Sequence, residues 1–442
     1  MRIVRWSRGA AAMLALTLAA SACAEARTGG PPPPGAEASG AERVHFDIGV
    51  TREPCPDGPS EDHGCIYLGT LSDITEGPFA SYGLAFTDAQ KAFWKRVNDS
   101  KGIADAFDVD VETYLRDHKY DPEVAKRLFG EISGKVLALA QTLGPSTTTA
   151  ILDGLKGTNM LAVPADWSSK WEFEDNIIEV GTNYCVEAMN AIDFAVEEYG
   201  SKSVMAIHYD DEYGNDAAAG VKIAAAANKL EFTDVVTPEG PDKQTRAIQQ
   251  VVRSKPTLVF IATSPEDMAA IVGTAVAQGY NNRFIGSSLT WSPDLLLSPA
   301  GATIQRTFEL AAPWKTYTSE GTGYDHMRAA LGSLPPHDGY TAGWVSSYPM
   351  KSLLEKAVKV GDLTREGLLD AAAELNNVDF EGFLPDDAGN YVGEPNETLF
   401  RESIIAIPES ASPTGLKTKK DFFVGSTAEG YQLTKPCFEA VK

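Results

Sequence analysis

Short β-branched, apolar runs alternate with longer amphipathic ones from Ile66 to Gly286, and this alternation constrains the fold more than any single motif. The strand-like runs are IYLGTLS from Ile66, VDVETYL from Val109, VLALAQTL from Val136, MLAVP from Met160, SVMAIHY from Ser203, FTDVV from Phe232, TLVFIA from Thr257 and RFIG from Arg283. Between them lie helical stretches such as GLAFTDAQKAFWKRVND, PEVAKRLFGEIS, VEAMNAIDFAVEEYG, DAAAGVKIAAAANK and PEDMAAIVGTAVAQ. A strand followed by a crossover helix and a second strand pairs in parallel through a right-handed connection, so the spacing predicts an α/β fold with parallel sheets. The strands are too many for one comfortable sheet, and two lobes are the natural solution. After about residue 323 the pattern becomes mostly helical, through DGYTAGWVSSYPMKSLLEKAVK and TREGLLDAAAELN, and ends in a turn-rich tail with one further strand, ESIIAIP.

The start of the chain is built differently. Arg2, Arg5 and Arg8 precede a small-residue, Leu-rich stretch that ends in Ser21, Ala22 and Cys23, which reads as an export signal over 1–22 and is too short to span a membrane. Its ASAC ending resembles a bacterial lipobox, with Ala20 where that motif usually has Leu, and predicts a lipid on Cys23. Ordinary cleavage near the same small residues is the alternative. Residues 23–44, with four consecutive prolines, read as an extended tether above a bilayer. The chain carries 38 Lys and Arg against 61 Asp and Glu, a net charge of −23, and loss of the signal removes three arginines and no acid. Such a body repels phosphate backbones and anionic lipid, which argues against nucleic acid or electrostatic membrane docking.

Four cysteines remain, Cys55, Cys65, Cys185 and Cys437, an even count that in an exported chain suggests disulfides with three possible pairings. Cys55 and Cys65 bracket a polar Gly/Pro-rich loop that a short bridge would rigidify, and Cys185 then has Cys437 as its remaining partner. A metal site is the rival, but there is no CxxC and no HExxH, and the six histidines show no ligand spacing. No metal or cofactor is expected. Enzyme motifs are absent as well: there is no GxSxG, GEISGKV at Gly130 is one residue short of a P-loop, and GTGYDH at Gly321 lacks the third glycine of a dinucleotide site.

Ligands of open α/β sheets collect at the carboxyl ends of strands, where helix N-termini present free N–H groups. The segments there are SDITEGPFASYG, GPSTTTA, PADWSSKW, YDDEYGND, TSPED and SSLTWSPD, rich in hydroxyls, aromatics and acids, with Lys170 as their single cation. Each has a plainer reading: Ser146 to Thr149 and Asp210 to Glu212 cap helices in any such fold, and Trp167, Trp171 and Trp291 cover strand ends as core. Asp386 to Glu397 matches the ends of an EF-hand loop but has Tyr391 where glycine is needed, and reads as a turn.

Taken in order, LGTLSDITEGPFASYG, DHKYDPEVAKRL, LGPSTTTA, YDDEYGNDAAAG and DGYTAGWVSSYPMKSLLEKA resemble the type I periplasmic binding proteins, particularly the branched-chain amino acid, amide and urea receptors of ABC transporters, over roughly 66–408. The resemblance implies two Rossmann-like lobes joined by three crossing strands, with 45–180 and 313–378 in the first lobe and 181–312 and 379–442 in the second. It implies that a ligand carboxylate meets the loop of Ser146, Thr147 and Thr148, that Tyr82, Ala165, Asp166 and Trp167 line the first lobe's side of the cleft, and that Tyr213, Ser264 and Ser288 face them. It also implies an extracytoplasmic monomer that binds a small molecule, engages an ABC permease and sits lipid-anchored at the cell membrane. Amino-acid receptors of this family place an ammonium-binding carboxylate after the strand that reads RFIG here; Ser287 and Ser288 stand there, so an ammonium would need another acid, such as Asp166. A neutral or zwitterionic, amino-acid-like or amide-like ligand with an apolar or cationic part is expected. The alternatives are a two-lobed sensor that signals to a partner and a secreted hydrolase with paired carboxylates.

Overall fold

The computed structural model describes residues 43–441; the signal, Cys23 and nearly all of the tether lie outside them. Two main sheets form. In the first, β2 (Val50–Thr51), β3 (Gly64–Ser72), β6 (Ala138–Leu143) and β7 (Ala162–Ala165) lie in that order, with β4 (Phe107–Asp110) and β5 (Leu115–Asp117) also pairing with β3. All pairs are parallel except β2 with β3. A two-stranded ribbon joins β1 (His45–Phe46) to β13 (Asp362–Leu363).

The second sheet has seven strands, ordered β15 (Leu416–Phe423), β14 (Ser403–Pro408), β12 (Phe308–Ala312), β11 (Arg283–Gly286), β10 (Leu258–Ala262), β8 (Ser203–His208) and β9 (Glu231–Val236). Its middle is parallel; β14 and β15 add an antiparallel edge. β10 reads LVFIA and is buried on both faces, as a central parallel strand covered by helices must be. Each strand candidate of the sequence corresponds to an observed strand, VDVETYL dividing into β4 and β5. The tail holds two strands rather than one: β15 alternates Lys outward along a sheet edge, a pattern that protects the edge and hides the strand from an apolar search.

Helices α1 (Ala80–Asp99), α2 (Pro122–Ile132) and α3 (Pro145–Gly157) flank the first sheet, and α4 (Tyr184–Tyr199), α5 (Glu212–Ala227), α6 (Thr245–Ser254), α7 (Pro265–Ala277) and α8 (Gly301–Thr307) the second. The chain then returns to the first lobe, where α9 (Thr322–Leu331) and α10 (Gly339–Val345) pack on α1, followed by α11 (Ser347–Val360) and α12 (Arg365–Ala372). It thus passes between the two sheets three times, the two-lobed architecture of periplasmic binding proteins.

Two local features position the cleft. The stretch GPSTTTA is not a loop beyond its first residue: Pro145 starts α3 at once, its fixed φ suiting a first helical turn. Gly144 before it has φ 93°, and a Cβ there would lie 2.5 Å from the Tyr120 ring. In the second lobe α4 and α5 cross closely because Gly220 carries no side chain; a Cβ would meet the Cys185 carbonyl oxygen at 2.1 Å. That approach brings the start of α4 beside Tyr213. Disulfides join Cys55 to Cys65 and Cys185 to Cys437, the second fixing the chain's last helical turn to α4.

Candidate ligand-binding site

An aromatic cluster fills the space between the lobes. Tyr82, in the first turn of α1, meets the Trp167 ring at 6.4 Å; Trp167 meets Tyr184 at 6.0 Å and Trp314 at 4.8 Å; Tyr184 meets Tyr213 at 4.7 Å, and Tyr213 meets Phe79 at 5.8 Å. Every contact is tilted or edge-on, the geometry that aromatic quadrupoles favour. Trp167 is further fixed by its indole N–H, which donates to the Val180 carbonyl at 2.7 Å.

Polar contacts cross between the lobes at the rim. Tyr120 donates its hydroxyl to Asp211 Oδ2 at 3.2 Å, and the Thr149 hydroxyl donates to Glu212 Oε2 at 3.0 Å while accepting from Lys170 Nζ at 2.8 Å. Asp211 also caps α5 by accepting from the Gly214 N–H, so the lobes are seen closed on one another.

The sequence-predicted residues separate into two groups. Thr147 donates to the Leu143 and Gly144 carbonyls. Thr148 contacts the Thr142 hydroxyl at 3.1 Å and donates to Asp166 Oδ2 at 3.0 Å, and Asp166 Oδ1 accepts from the Trp171 indole. The Asp166 carboxylate thus has both oxygens engaged within the first lobe, and burial pushes its pKa up to about 7. Ser146 is half-buried on the first turn of α3, Ala165 is buried at the end of β7, and Ser264 caps α7 by accepting from the Asp267 N–H. Tyr82, Trp167, Tyr213 and Ser288 belong instead to the interlobe space. Tyr82 and Ser288 line a common cavity of about 30 Å³ whose walls include Trp291, Leu310, Trp314 and Ile404, room for about one water.

The sequence reading missed Phe79, Tyr184, Trp314 and, above all, Glu187. This acid lies on α4, whose first twelve residues are all buried. Glu187 Oε1 accepts from the Ser287 hydroxyl at 2.8 Å and from the Ser288 N–H at 3.1 Å. The two serines that replace the family's acid after β11 therefore hold an acid delivered from another element. Among the described residues, Glu187 Oε2 and the hydroxyls of Tyr82, Tyr184 and Tyr213 have no hydrogen-bond partner although all are buried. Burial pushes the Glu187 pKa up to about 8, with the serine hydrogen bonds opposing it, and Glu187 in turn raises the Tyr82 and Tyr213 hydroxyls further above their ordinary value, which burial has already lifted. The signal that could have revealed it was a carboxylate on an otherwise apolar helical face.

The one cluster of metal-capable groups among the described residues is Cys185, Cys437 and Asp216, and its two sulfurs are joined to each other. No described helix is long and apolar enough to cross a membrane.

This geometry, two parallel-rich lobes closed on a buried aromatic and polar cleft, is that of a solute-binding protein. Residues 66–398 match the family described as Periplasmic binding protein, and the chain belongs to that extracytoplasmic family. Its fold is similar to that of a fatty acid ABC transporter substrate-binding protein from Thermomonospora curvata, with a TM-score of 0.81 at 24% identity over 89% of this chain and 98% of that one. It is also similar to a branched-chain amino acid ABC transporter protein from Thermus thermophilus with bound valine, with a TM-score of 0.71 at 16% identity over 83% and 98%. A leucine-binding protein from Thermotoga maritima gives 0.66 at 13% over 80% and 97%. A search of the curated proteins finds no match.

Proposed function

We propose that the protein is an extracytoplasmic solute-binding lipoprotein that captures a small amino-acid-like or amide-like ligand with an apolar part, by lobe closure, and delivers it to an ABC permease. The observation that carries this reading is the set of buried polar atoms without a protein hydrogen-bond partner on Tyr82, from the first lobe, and on Tyr184, Tyr213 and Glu187, from the second, around the aromatic cluster that joins the two. A buried polar group without a partner costs about 1–3 kcal/mol, and a ligand that supplies partners in the closed form, and not in the open one, recovers that cost and shifts the population toward closure. The neighbouring structures are named for a fatty acid, valine and leucine, each an apolar body bearing one carboxylate; the cavity walled by Leu310 and Ile404 is apolar enough for such a body, and its present room for about one water means that the lobes must part further to admit it.

The test is a titration of intrinsic fluorescence, read through Trp167, against amino acids, amides, urea and organic acids, with a melting-temperature shift as the second readout. A saturable response to one class sustains the reading; a response confined to dicarboxylates or phosphates contradicts it. Anchoring at Cys23 is tested by Triton X-114 partition: the mature protein enters the detergent phase and Cys23→Ala moves it to the aqueous phase. Delivery to a permease is tested by uptake of the labelled ligand, which is lost when this gene alone is deleted.

A further inference from the structure

Resting on the solute-binding reading, and narrowing its ligand class to an apolar body with a carboxylate and no ammonium, we infer that Glu187 is the residue that selects the ligand's head group, acting as a neutral hydrogen-bond donor to a carboxylate and excluding an ammonium. The argument is geometric. Glu187 Oε1 already accepts two hydrogen bonds, from the Ser287 hydroxyl and the Ser288 N–H. A proton on this carboxyl therefore sits on Oε2, the oxygen that has no partner among the described residues. The Tyr82 hydroxyl of α1 and the Tyr213 hydroxyl of α5, both buried, lie close enough for the Glu187 carboxyl to raise them, with the Ser287 hydroxyl near Tyr213 and the Ser288 hydroxyl near Glu187. The hydroxyls of Tyr82, Tyr213 and Ser288 and the Glu187 carboxyl thus share one buried region, and none of them bonds to a cation among the described residues. A neutral carboxylic acid beside tyrosine, kept protonated by its apolar surroundings, is a known way to hold an anionic oxygen without a positive charge. An ammonium would need the opposite state, an ionised Glu187 with acceptors around it.

The surroundings keep Glu187 in its proton-bearing form. Burial is the largest influence on it and pushes its pKa up to about 8. The charged groups on the helices and strands packed against α4 are engaged elsewhere or face solvent: Asp216 with Ser169, Glu212 with Thr149 and Lys170, Lys222 with the Val441 carbonyl, and Glu309 with Lys419 and Tyr199, while Glu429 on the helix Ser426–Gly430 is exposed. Asp338, which also faces Tyr82, is pushed up to about 6 by burial and titrates below Glu187. Lys315, the one cation lining the Tyr82–Ser288 cavity, is paired with Asp421 at 2.9 Å.

The test uses the mature full-length protein and four probes, octanoate, octylamine, octanamide and leucine, titrated by tryptophan fluorescence and calorimetry between about pH 7 and about pH 9.5, where neither octanoate nor octylamine loses most of its charge. Octanoate is expected to bind at least about tenfold more tightly than octylamine at pH 7, with an affinity that falls toward about tenfold per pH unit above about pH 8 as Glu187 ionises. Glu187→Gln keeps a neutral donor at the same place, so it should hold octanoate within about threefold and lose the pH dependence. The wild-type pH profile needs no variant and stands if that variant fails to fold. Octylamine binding as tightly as octanoate, or a pH profile that is flat in the wild type or unchanged in Glu187→Gln, overturns the assignment. Binding of leucine alone overturns the assignment and leaves the solute-binding reading standing. Silence from all four probes, together with no small molecule released on denaturing the purified protein, overturns both.

Discussion

The starts of α3 and α4 both carry polar side chains toward the space between the lobes and treat them in opposite ways. At α3, Thr147 and Thr148 turn back onto the carbonyls of β6 and onto Asp166, whose other oxygen holds the Trp171 indole, so these two hydroxyls and the Asp166 carboxylate are satisfied within one lobe. At α4, Glu187 uses one oxygen on the β11 loop and leaves the other open, next to tyrosine hydroxyls that are open as well. The first arrangement fixes a loop; the second leaves a vacancy in the hydrogen bonding that a ligand can complete. Richness in hydroxyls marks where a site is built, and unsatisfied atoms mark where it binds.

The largest effect expected from this contrast is on stability against pH. Asp166 and Glu187 ionise near 3.8 and 4.5 when free of the fold but only near about 7 and about 8 within it, so the folded state keeps protons that the unfolded state has shed. Stability therefore falls as pH rises from about 4 to about 8, by several kcal/mol in total, and levels off above that interval. Urea unfolding at several pH values checks this, and Glu187→Gln should recover part of the loss at about pH 8 with no gain at about pH 3.5, below the unfolded pKa. A stability that rises across the window would show both carboxyls ionised in the fold.

Next in size, Asp166→Ala should destabilise by about 3 kcal/mol, because it leaves the Trp171 indole N–H and the Thr148 hydroxyl buried without their acceptor. A cost below about 1 kcal/mol would break the comparison by making the first region as open as the second. Trp167→Ala and Tyr213→Ala should weaken ligand binding about tenfold or more through lost aromatic wall, measured by calorimetry; unchanged affinity in both would move the site elsewhere. The smallest effect belongs to Thr147→Val: an affinity within about twofold of wild type is expected, since the hydroxyl it removes is already turned onto the backbone.

Much of the fold was legible because buried parallel strands such as β8 and β10 are continuous apolar runs flanked by amphipathic helices. β15 was hidden by its lysines, and the FELAA of β12 follows its short helix α8 without a turn to mark it. Both disulfides were readable from spacing and remainder. The site was read less fully. Tyr82, Trp167, Tyr213 and Ser288 were named as cleft residues and lie between the lobes, whereas nothing in the sequence showed that Ser287 and Ser288, standing where the family has an acid, hold an acid from elsewhere. The acid they hold is 100 residues earlier in the chain, and no local pattern connects the two. Side-chain partnership across that distance is set by how α4 lies against the end of β11, which the helix's own composition does not encode.

The strand order of the second sheet also determines the order in which the molecule can be assembled. Domains take shape from the N-terminus as the chain is synthesised. All strands of the first sheet have emerged once residue 165 has been made, but β12 borders β14, which begins at Ser403. While the intervening helices are being made, β12 is an outer strand whose unpaired N–H and C=O groups can template a second chain. The newborn protein therefore passes through a stage at which the apolar edge of β12 is uncovered, and it is the last strands, β14 and the lysine-bearing β15, that close it and leave a charged border in its place.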